Sequence, residues 1–466
     1  MTKVLVVSTD HFGREMAGPA IRYWEMCRLL ALNGHEVRLG ASSLGERNPE
    51  GFSVVLNSAA TLAEQAEWAE VVVIHGLVLQ QFTALRAAAK RLVVDLYDPF
   101  NLEILELFKD APWKDRNLNH SGHLTGLVEQ LEIGDFFICA SEKQRDYWLG
   151  ALTTAGRINP YTHSQDHLLR RLIDVVPFGI TSEPVRHSGT PAAKGALPGI
   201  GPESRLVIWG GGIYNWFDPL SLLRAWPRVL VASPSARLLF LGIKNPNPDV
   251  RDMRMASRAI ALSEELGLRG RSVHFNLDWV PYDRRKDFLL EAEIGVSMHF
   301  DHLETEFSFR TRILDYIWAG LPIVATEGDE FARWIEAKGT GRVVRFENPD
   351  SIAEAISGLL TSPAAYEACA TAIRESRPEF TWERALAPLA RYCSEPWQAS
   401  DLSDGRRPIF EEGIAKRWLN SAAAPRSTVP RMVFFLQHEG LPSLIGRTVR
   451  ALLRRLNQPS YPRDRR

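Results

Sequence analysis

The chain has 466 residues, 45% hydrophobic and 24% charged, an ordinary globular composition spread over more length than one core usually accommodates. Its 56 acids and 55 Lys and Arg nearly cancel, so no chain-wide basic surface marks a nucleic-acid binder. Cys27, Cys139, Cys369 and Cys393 form no CxxC pair, which argues against a zinc site or a disulfide framework and fits a reducing compartment.

Met1 leads directly into "VLVVS", too short an apolar run for a signal peptide, and no segment approaches the roughly 20 apolar residues of a membrane span. A cytoplasmic protein is expected, at most peripheral on the inner face of the cell membrane. "KVLVVS" predicts a strand buried on both faces. A helix follows from Pro19, with Ile21, Trp24, Cys27, Leu30 and Ala31 on one face and Gly34 at its end. Strands are predicted in "HEVRLGA", "AEVVVIHG", "RLVVDLYD", "DFFICAS" and "IDVVPFG", with helical segments between, the pattern of a doubly wound parallel sheet.

Residues 181–205 carry four prolines in a polar, glycine-rich stretch and read as a linker or hinge. The β/α rhythm then restarts with "RLVIWGGG", a helix from about Pro219, "ARLLFLG", "SVHFNLDWV", "AEIGVSMHF", "LPIVATEG" and "TGRVVRF", closed by the helix "SIAEAISGLL". The organisation expected is an N-terminal domain over 1–180, a C-terminal domain over 206–376, a crossing helix over 377–395 and a tail over 396–466. Within the tail, "LPSLIGRTVRALLRRL" (441–456) sets leucines, Ile445 and Val449 on one helical face and four arginines on the other. That is the composition of an interfacial helix on an anionic membrane, or of a helix packed back on the N-terminal domain.

The chemistry concentrates in "EFSFRTRILDYIWAGLPIVATEGD" (306–329). Phe309, Ile313, Leu314 and Ile317 lie at helical spacing, and Gly320-Leu321-Pro322 ends the helix. Ligands collect where strands of a parallel sheet give way to helices, and backbone N–H groups at a helix start favour an anion. Arg310 and Arg312 would add forked cationic donors for a diphosphate, and Glu304, Glu306 or Asp315 could accept sugar or ribose hydroxyls. The plainer reading is a solvated helix start with weak ion pairs such as Asp315 with Arg312.

"RTRILDYIWAGLPIVAT" resembles the nucleotide-sugar site of GT-B glycosyltransferases, the large retaining group (family 4-like) typified by sucrose synthases and bacterial mannosyltransferases. Arg312, Asp315 and Ala319-Gly320-Leu321-Pro322 carry the likeness; "GHEV" (34–37), "VVPFGI" (175–180) and "WGGGIYNW" (209–216) stand in matching order, over roughly residues 3 to 390. The resemblance implies a GT-B fold: two Rossmann-like domains facing across a cleft, plus a C-terminal helical tail. It implies a nucleotide-sugar donor in the C-terminal domain, with its diphosphate at Gly211, Gly212 and the Arg310/Arg312 helix start. It further implies retention of configuration, no metal and no separate cofactor, and a glycan or lipid-linked acceptor on the N-terminal side, for cell-envelope polysaccharide or glycolipid synthesis. Two features depart from the pattern. Phe307 stands where the first of two glutamates is usual, with Glu306 one place off, and Asp218-Pro219 replaces a Lys-Gly.

On the N-terminal side, Gly18 to Arg22 form a loop and helix start that could face the phosphates. Asp95, Asp98 and His75 end strands, where they could orient an acceptor hydroxyl. Asp98, His75 and Glu306 are therefore the catalytic candidates. Gly18, Arg22, Gly211, Gly212, Trp216, Glu304, Arg310, Arg312 and Asp315 are the donor-binding ones. Structural alternatives are a hydrogen-bonded core histidine for His75, a helix-capping or turn role for Asp98, and packing for Trp216. A nucleotide-sugar epimerase or hydrolase of the same fold, and a non-catalytic glycan-binding or partner scaffold, are the rival functions.

Overall fold

The computed structural model describes residues 1–243 and 253–403. The amphipathic segment expected over 441–456 and the tail from residue 404 onward lie outside the described residues. Among those described, no helix is long and apolar enough to cross a membrane.

The first half is built on seven parallel strands, in the order Ser53–Leu56, Glu36–Ala41, Lys3–Val7, Val71–His75, Leu92–Asp95, Phe136–Cys139, Ile173–Val175. Val4 to Val7 and Val71 to Ile74 are fully buried, which is why these strands are continuous apolar runs rather than alternating ones. The edge strand Ser53–Leu56 is half-exposed and short, and the sequence pattern does not announce it. The second half holds six parallel strands, in the order Val273–Asn276, Ala236–Leu241, Arg205–Gly210, Ile294–Ser297, Ile323–Thr326, Gly341–Val344.

In each sheet the chain leaves the first-formed strand toward one side and later returns on its other side. Lys3–Val7 has Glu36–Ala41 on one flank and Val71–His75 on the other; Arg205–Gly210 is likewise flanked by Ala236–Leu241 and Ile294–Ser297. Helices diverge at such a switch point, leaving a crevice beyond the strand's carboxyl end. The crevices therefore lie beyond Val7 and Gly210.

After the last strand the chain returns to the first half. Ile180 N donates to Phe380 O and Trp382 N donates to Ile180 O, and the Tyr392 ring stacks on Phe136 at 4.8 Å. The single crossing helix expected over 377–395 is broken into a 3-10 turn (Arg377–Phe380) and two helices, Trp382–Ala385 and Ala387–Ser394. Pro388 suits only the first turn of a helix, so a continuous helix through it is disfavoured.

The 181–205 segment is strapped to the second half. The Asp287 carboxylate accepts from Ser188 N at 2.7 Å and Ser188 Oγ at 2.9 Å; Glu291 accepts from the backbone N–H groups of Ala192, Ala193 and Lys194, each at 2.7 Å. Burial alone would raise the Glu291 pKa, but those N–H groups and His187 outweigh it and the net shift is downward. A carboxylate whose folded pKa lies below its unfolded value of about 4.3 contributes stability above that pH. The contribution is lost as pH falls through the lower folded value. Glu291→Gln is therefore expected to cost about 1–3 kcal/mol at neutral pH and to flatten the acid limb of the stability curve. Denaturant melts at several pH values check this; an unchanged midpoint would mean that the strap is held by other contacts.

Candidate functional site

The two crevices share one cleft. It is open, with a cavity volume of about 160 Å³, and is lined from the first half by Met16, Gly18 and Ile21 and from the second by Gly210, Gly211, Gly212, Arg312 and Asp315. Two helix starts meet there: a Cβ on Gly18, which opens the helix Gly18–Leu32, would sit 3.7 Å from Thr311 Oγ1, which opens Thr311–Ala319. Both present the positive end of a helix to the same space.

The glycine loop is fixed from below. Gly210 N donates to the Tyr316 hydroxyl at 2.8 Å, and that hydroxyl donates to Val296 O at 2.8 Å. Gly295 makes room for the Tyr316 ring, which a Cβ there would approach to 2.3 Å. Gly211 adopts φ +77°, a left-handed conformation glycine takes without strain.

The structure separates the two arginines. Arg310 is expected at the diphosphate, but its guanidinium grips Glu304 with Nη1 to Oε1 at 2.8 Å and Nη2 to Oε2 at 2.6 Å. Both side chains are nearly fully buried and neither lines the cleft. This corrects the expectation for Arg310 as a phosphate ligand and for Glu304 as a free hydroxyl acceptor: a buried guanidinium needs a carboxylate, and the short helix Leu303–Phe307 supplies it. Arg312 does line the cleft. Its Nη2 donates to Gly212 O at 3.0 Å, its plane lies over Phe217 at 4.2 Å, and Nη1 has no partner among the described residues. Burial lowers its pKa to about 10, leaving it charged at neutral pH. Asp315, one helical turn on, also lines the cleft, paired with Arg285 at 3.4 Å rather than with Arg312. Arg285, in "DRRKD" (283–287), was not singled out in the sequence.

Other site residues fall elsewhere. Arg22 does not face the cleft: it is fully buried in the first half, with Nε on Asp95 Oδ2 at 2.6 Å, Nη2 on Asp95 Oδ1 at 3.0 Å and Nη2 on Val176 O at 2.8 Å. Its helical position turns it toward the sheet, where Asp95 neutralises it. Trp216 is buried and stacks on Tyr214 at 5.0 Å, and Tyr214 rather than Trp216 lines the cleft. Glu306 is 46% exposed, pairs with Lys143, and is not among the lining residues. Phe307 packs its ring against Tyr147 at 4.7 Å while its carbonyl accepts from Gln144 Nε2 at 2.8 Å.

His75 ends the strand Val71–His75 and Asp98 lies beyond the end of the strand Leu92–Asp95, both outside the lining of the cleft. The His75 ring stacks on Tyr23 at 4.5 Å, with Nε2 at 3.3 Å from Ser8 Oγ and 3.8 Å from Asp10 Oδ2. Burial lowers its pKa, so the ring is neutral at pH 7. Asp98 shares a buried contact with Glu103; burial raises Asp98 to about 7 and pushes Glu103 well above the usual carboxylate range. Asp10 and Glu103 were also missed; Asp10 follows the first strand's carboxyl end and was legible by that rule. Among the described residues, no group of three or more His, Cys, Asp or Glu could hold a metal ion.

Residues 204–362 match the family model described as Glycosyl transferases group 1. No curated protein matches by sequence. Among solved structures, the chain is similar to sucrose-phosphate synthase from Thermosynechococcus elongatus, at 16% identity and TM-score 0.60, over 84% of this chain and 98% of that one. It is similar to WaaG, a glycosyltransferase involved in lipopolysaccharide biosynthesis, at 16% identity and TM-score 0.58, over 84% of this chain and 100% of that one. HepE of Anabaena, solved in complex with UDP-glucose, matches at 13% identity and TM-score 0.59, over 84% of this chain and 100% of that one. The chain therefore has the GT-B fold, and its residues 204–362 are similar to the Glycosyl transferases group 1 model.

Proposed function

We propose that the protein is a glycosyltransferase that moves a sugar from a nucleotide-sugar donor to a glycan or lipid-linked acceptor, in cell-envelope polysaccharide or glycolipid synthesis, with retention and without a metal. One observation carries the reading: Arg312, with an unpartnered guanidinium nitrogen, stands beside the Gly210–Gly212 loop where two helix starts meet. That arrangement suits a diphosphate. As the glycosidic bond breaks, negative charge grows on the leaving diphosphate, and a fixed cation with helix-start N–H groups stabilises it more in the transition state than in the ground state. UDP-glucose in HepE and the lipopolysaccharide role of WaaG support the donor and acceptor classes. His75 and Asp98, on the acceptor half, are assigned to orienting the acceptor hydroxyl. A non-catalytic scaffold is the second reading, favoured by Phe307, which places an aromatic ring where the resembling family has a carboxylate.

A screen of nucleoside diphosphates by thermal shift tests the donor half of the reading: a ligand at 100 times its Kd adds about 2.7 kcal/mol. No shift with any of them would favour the scaffold. The two arginines should part company. Arg312→Ala is expected to leave the melting temperature close to that of the parent and to lower kcat/KM about 10²- to 10³-fold. Arg310→Ala, which strands Glu304, is expected to cost about 3–5 kcal/mol of stability. Asp98, raised to about 7, contributes stability that is present below its unfolded pKa and lost as pH rises through about 7. Asp98→Asn should remove that slope and any inflection near pH 7 in the rate profile; a profile unchanged by Asp98→Asn removes Asp98 from the mechanism.

A further inference from the structure

The short helix Leu303–Phe307 of the second half docks against two helices of the first, Phe100–Leu107 and Glu142–Thr154. Gln144 Nε2 bridges this seam, donating to Tyr97 O and to Phe307 O at 2.8 Å each. The Phe307 ring lies 4.7 Å from the Tyr147 ring, and the Tyr147 hydroxyl accepts from Asn101 Nδ2 at 2.6 Å. Asp98 and Glu103 flank the start of the helix Phe100–Leu107 and hydrogen-bond each other, with Glu304 and Arg310 facing them across the seam. Both are half-buried, so a proton can leave or enter without unfolding.

Charge at the seam balances only while that carboxyl pair is neutral. Glu304 and Arg310 cancel each other, and Asp95, behind Asp98, is neutralised by Arg22. The other nearby cations among the described residues are committed: Lys143 to Glu306, Lys109 to Glu106 and Arg254 to Asp110. Two histidines complete the surroundings. His302 Nδ1 stands 3.7 Å from Glu304 Oε2, and the His123 ring, on the helix Trp113–Ile133, lies 6.1 Å from the Phe100 ring. With Asp98 and Glu103 both ionised, the seam would hold two further negative charges and no cation left to meet them. Such charge is strongly disfavoured where water is excluded, and parting the seam would hydrate it.

We propose that Asp98 and Glu103 form a proton-dependent latch, holding residues 303–310 docked on the first half while protonated and releasing them on ionisation. Burial raises Asp98 to about 7 and lifts Glu103 well above the usual carboxylate range. A carboxyl whose folded pKa lies above its unfolded value of about 4 gives stability that is full below that lower value. It is lost as pH rises through the folded pKa, so the latch is closed in mild acid and slackens above about pH 7. The released segment runs directly into the helix Thr311–Ala319, which carries Arg312, so the state of the latch is passed to the cleft. The latch needs neither donor nor acceptor and is independent of the function proposed above.

Amide hydrogen exchange on the ligand-free full chain tests it, with rates corrected for the pH dependence of exchange itself. Protection of residues 303–310 should fall about tenfold between pH 6 and pH 8, the loss of one proton through a pKa of about 7. The strand Arg205–Gly210 should keep its protection over the same range. The double variant Asp98→Asn with Glu103→Gln is neutral at both positions, and protection of 303–310 should stay level in it. If the double variant fails to fold, Asp98→Asn alone must flatten the fall. Level protection in the parent overturns the proposal. A fall that persists in the variants also overturns it, since His302 or His123 would then be the group that titrates. A parallel fall in Arg205–Gly210 overturns it as well, because the whole second half would be loosening rather than the latch.

Discussion

A guanidinium taken out of water costs several kcal/mol unless a carboxylate meets it, and that constraint sorts the arginines of this molecule into structural and functional ones. Arg22 and Arg310 are buried and each is gripped at two points, by Asp95 and Glu304. Arg157 is held in the same way by Asp401. Arg312 is as buried as Arg310 yet meets only a backbone carbonyl and aromatic faces. Its charge is uncompensated by any carboxylate contact, and it stands beside the glycine loop. Arg145 is also buried without an acid, but backbone carbonyls of Ile173 and Leu168 take its donors away from the cleft. The cleft's positive character therefore comes from Arg312, with Arg285 shared with Asp315 at its side.

The same economy links the cleft to the chain between the sheets. The helix Arg285–Leu290 turns Arg285 to the cleft, while Asp287 and the following Glu291 face the strap and collect its backbone N–H groups. A change in the angle between the two halves must move the strap, and the strap is bonded to the element that carries Arg285. Cleft geometry and linker geometry are in this way one mechanical unit, and the bonds from Trp279 and Tyr282 to the 14–16 loop close its other side.

Much of the fold was legible because parallel strands buried on both faces are written as unbroken apolar runs: "KVLVVS", "VVVIH" and "RLVIWG" need no partner information to be recognised. The edge strand Ser53–Leu56 was not, because its exposed, short sequence carries no such run. The site was legible at the level of segments and less so at the level of side chains. Gly18, Gly211, Gly212, Arg312 and Asp315 do come together around one cleft. Arg310 and Arg312 look equivalent in sequence, two residues apart, and only the three-dimensional position of Glu304 tells them apart. Arg22 and Trp216 sit in the right segments, but helix phase and a stacked neighbour turn them away from the cleft. Arg285 was hidden because a charge run at a helix start looks the same whether it is solvated or lines a cavity.

Phe307 takes the last step. Its carbonyl is bonded by Gln144 and its ring rests on Tyr147, both from the first half, so this position serves as a contact between halves where the resembling family places a carboxylate. A carboxylate there would have to be desolvated against an aromatic ring, within the same segment that already buries Glu304. The fold instead sets acid on the facing half, where Asp98 and Glu103 lie close enough to Glu304 and Arg310 for Glu304 to raise their pKa values and Arg310 to lower them. Burial is the larger cause of the raised pKa values of Asp98 and Glu103, and the neighbouring carboxylates add to it. Position 307 thus serves as a contact between the halves, while the carboxyls across the junction, Asp98 and Glu103, are driven by burial toward protonated forms that donate as well as accept.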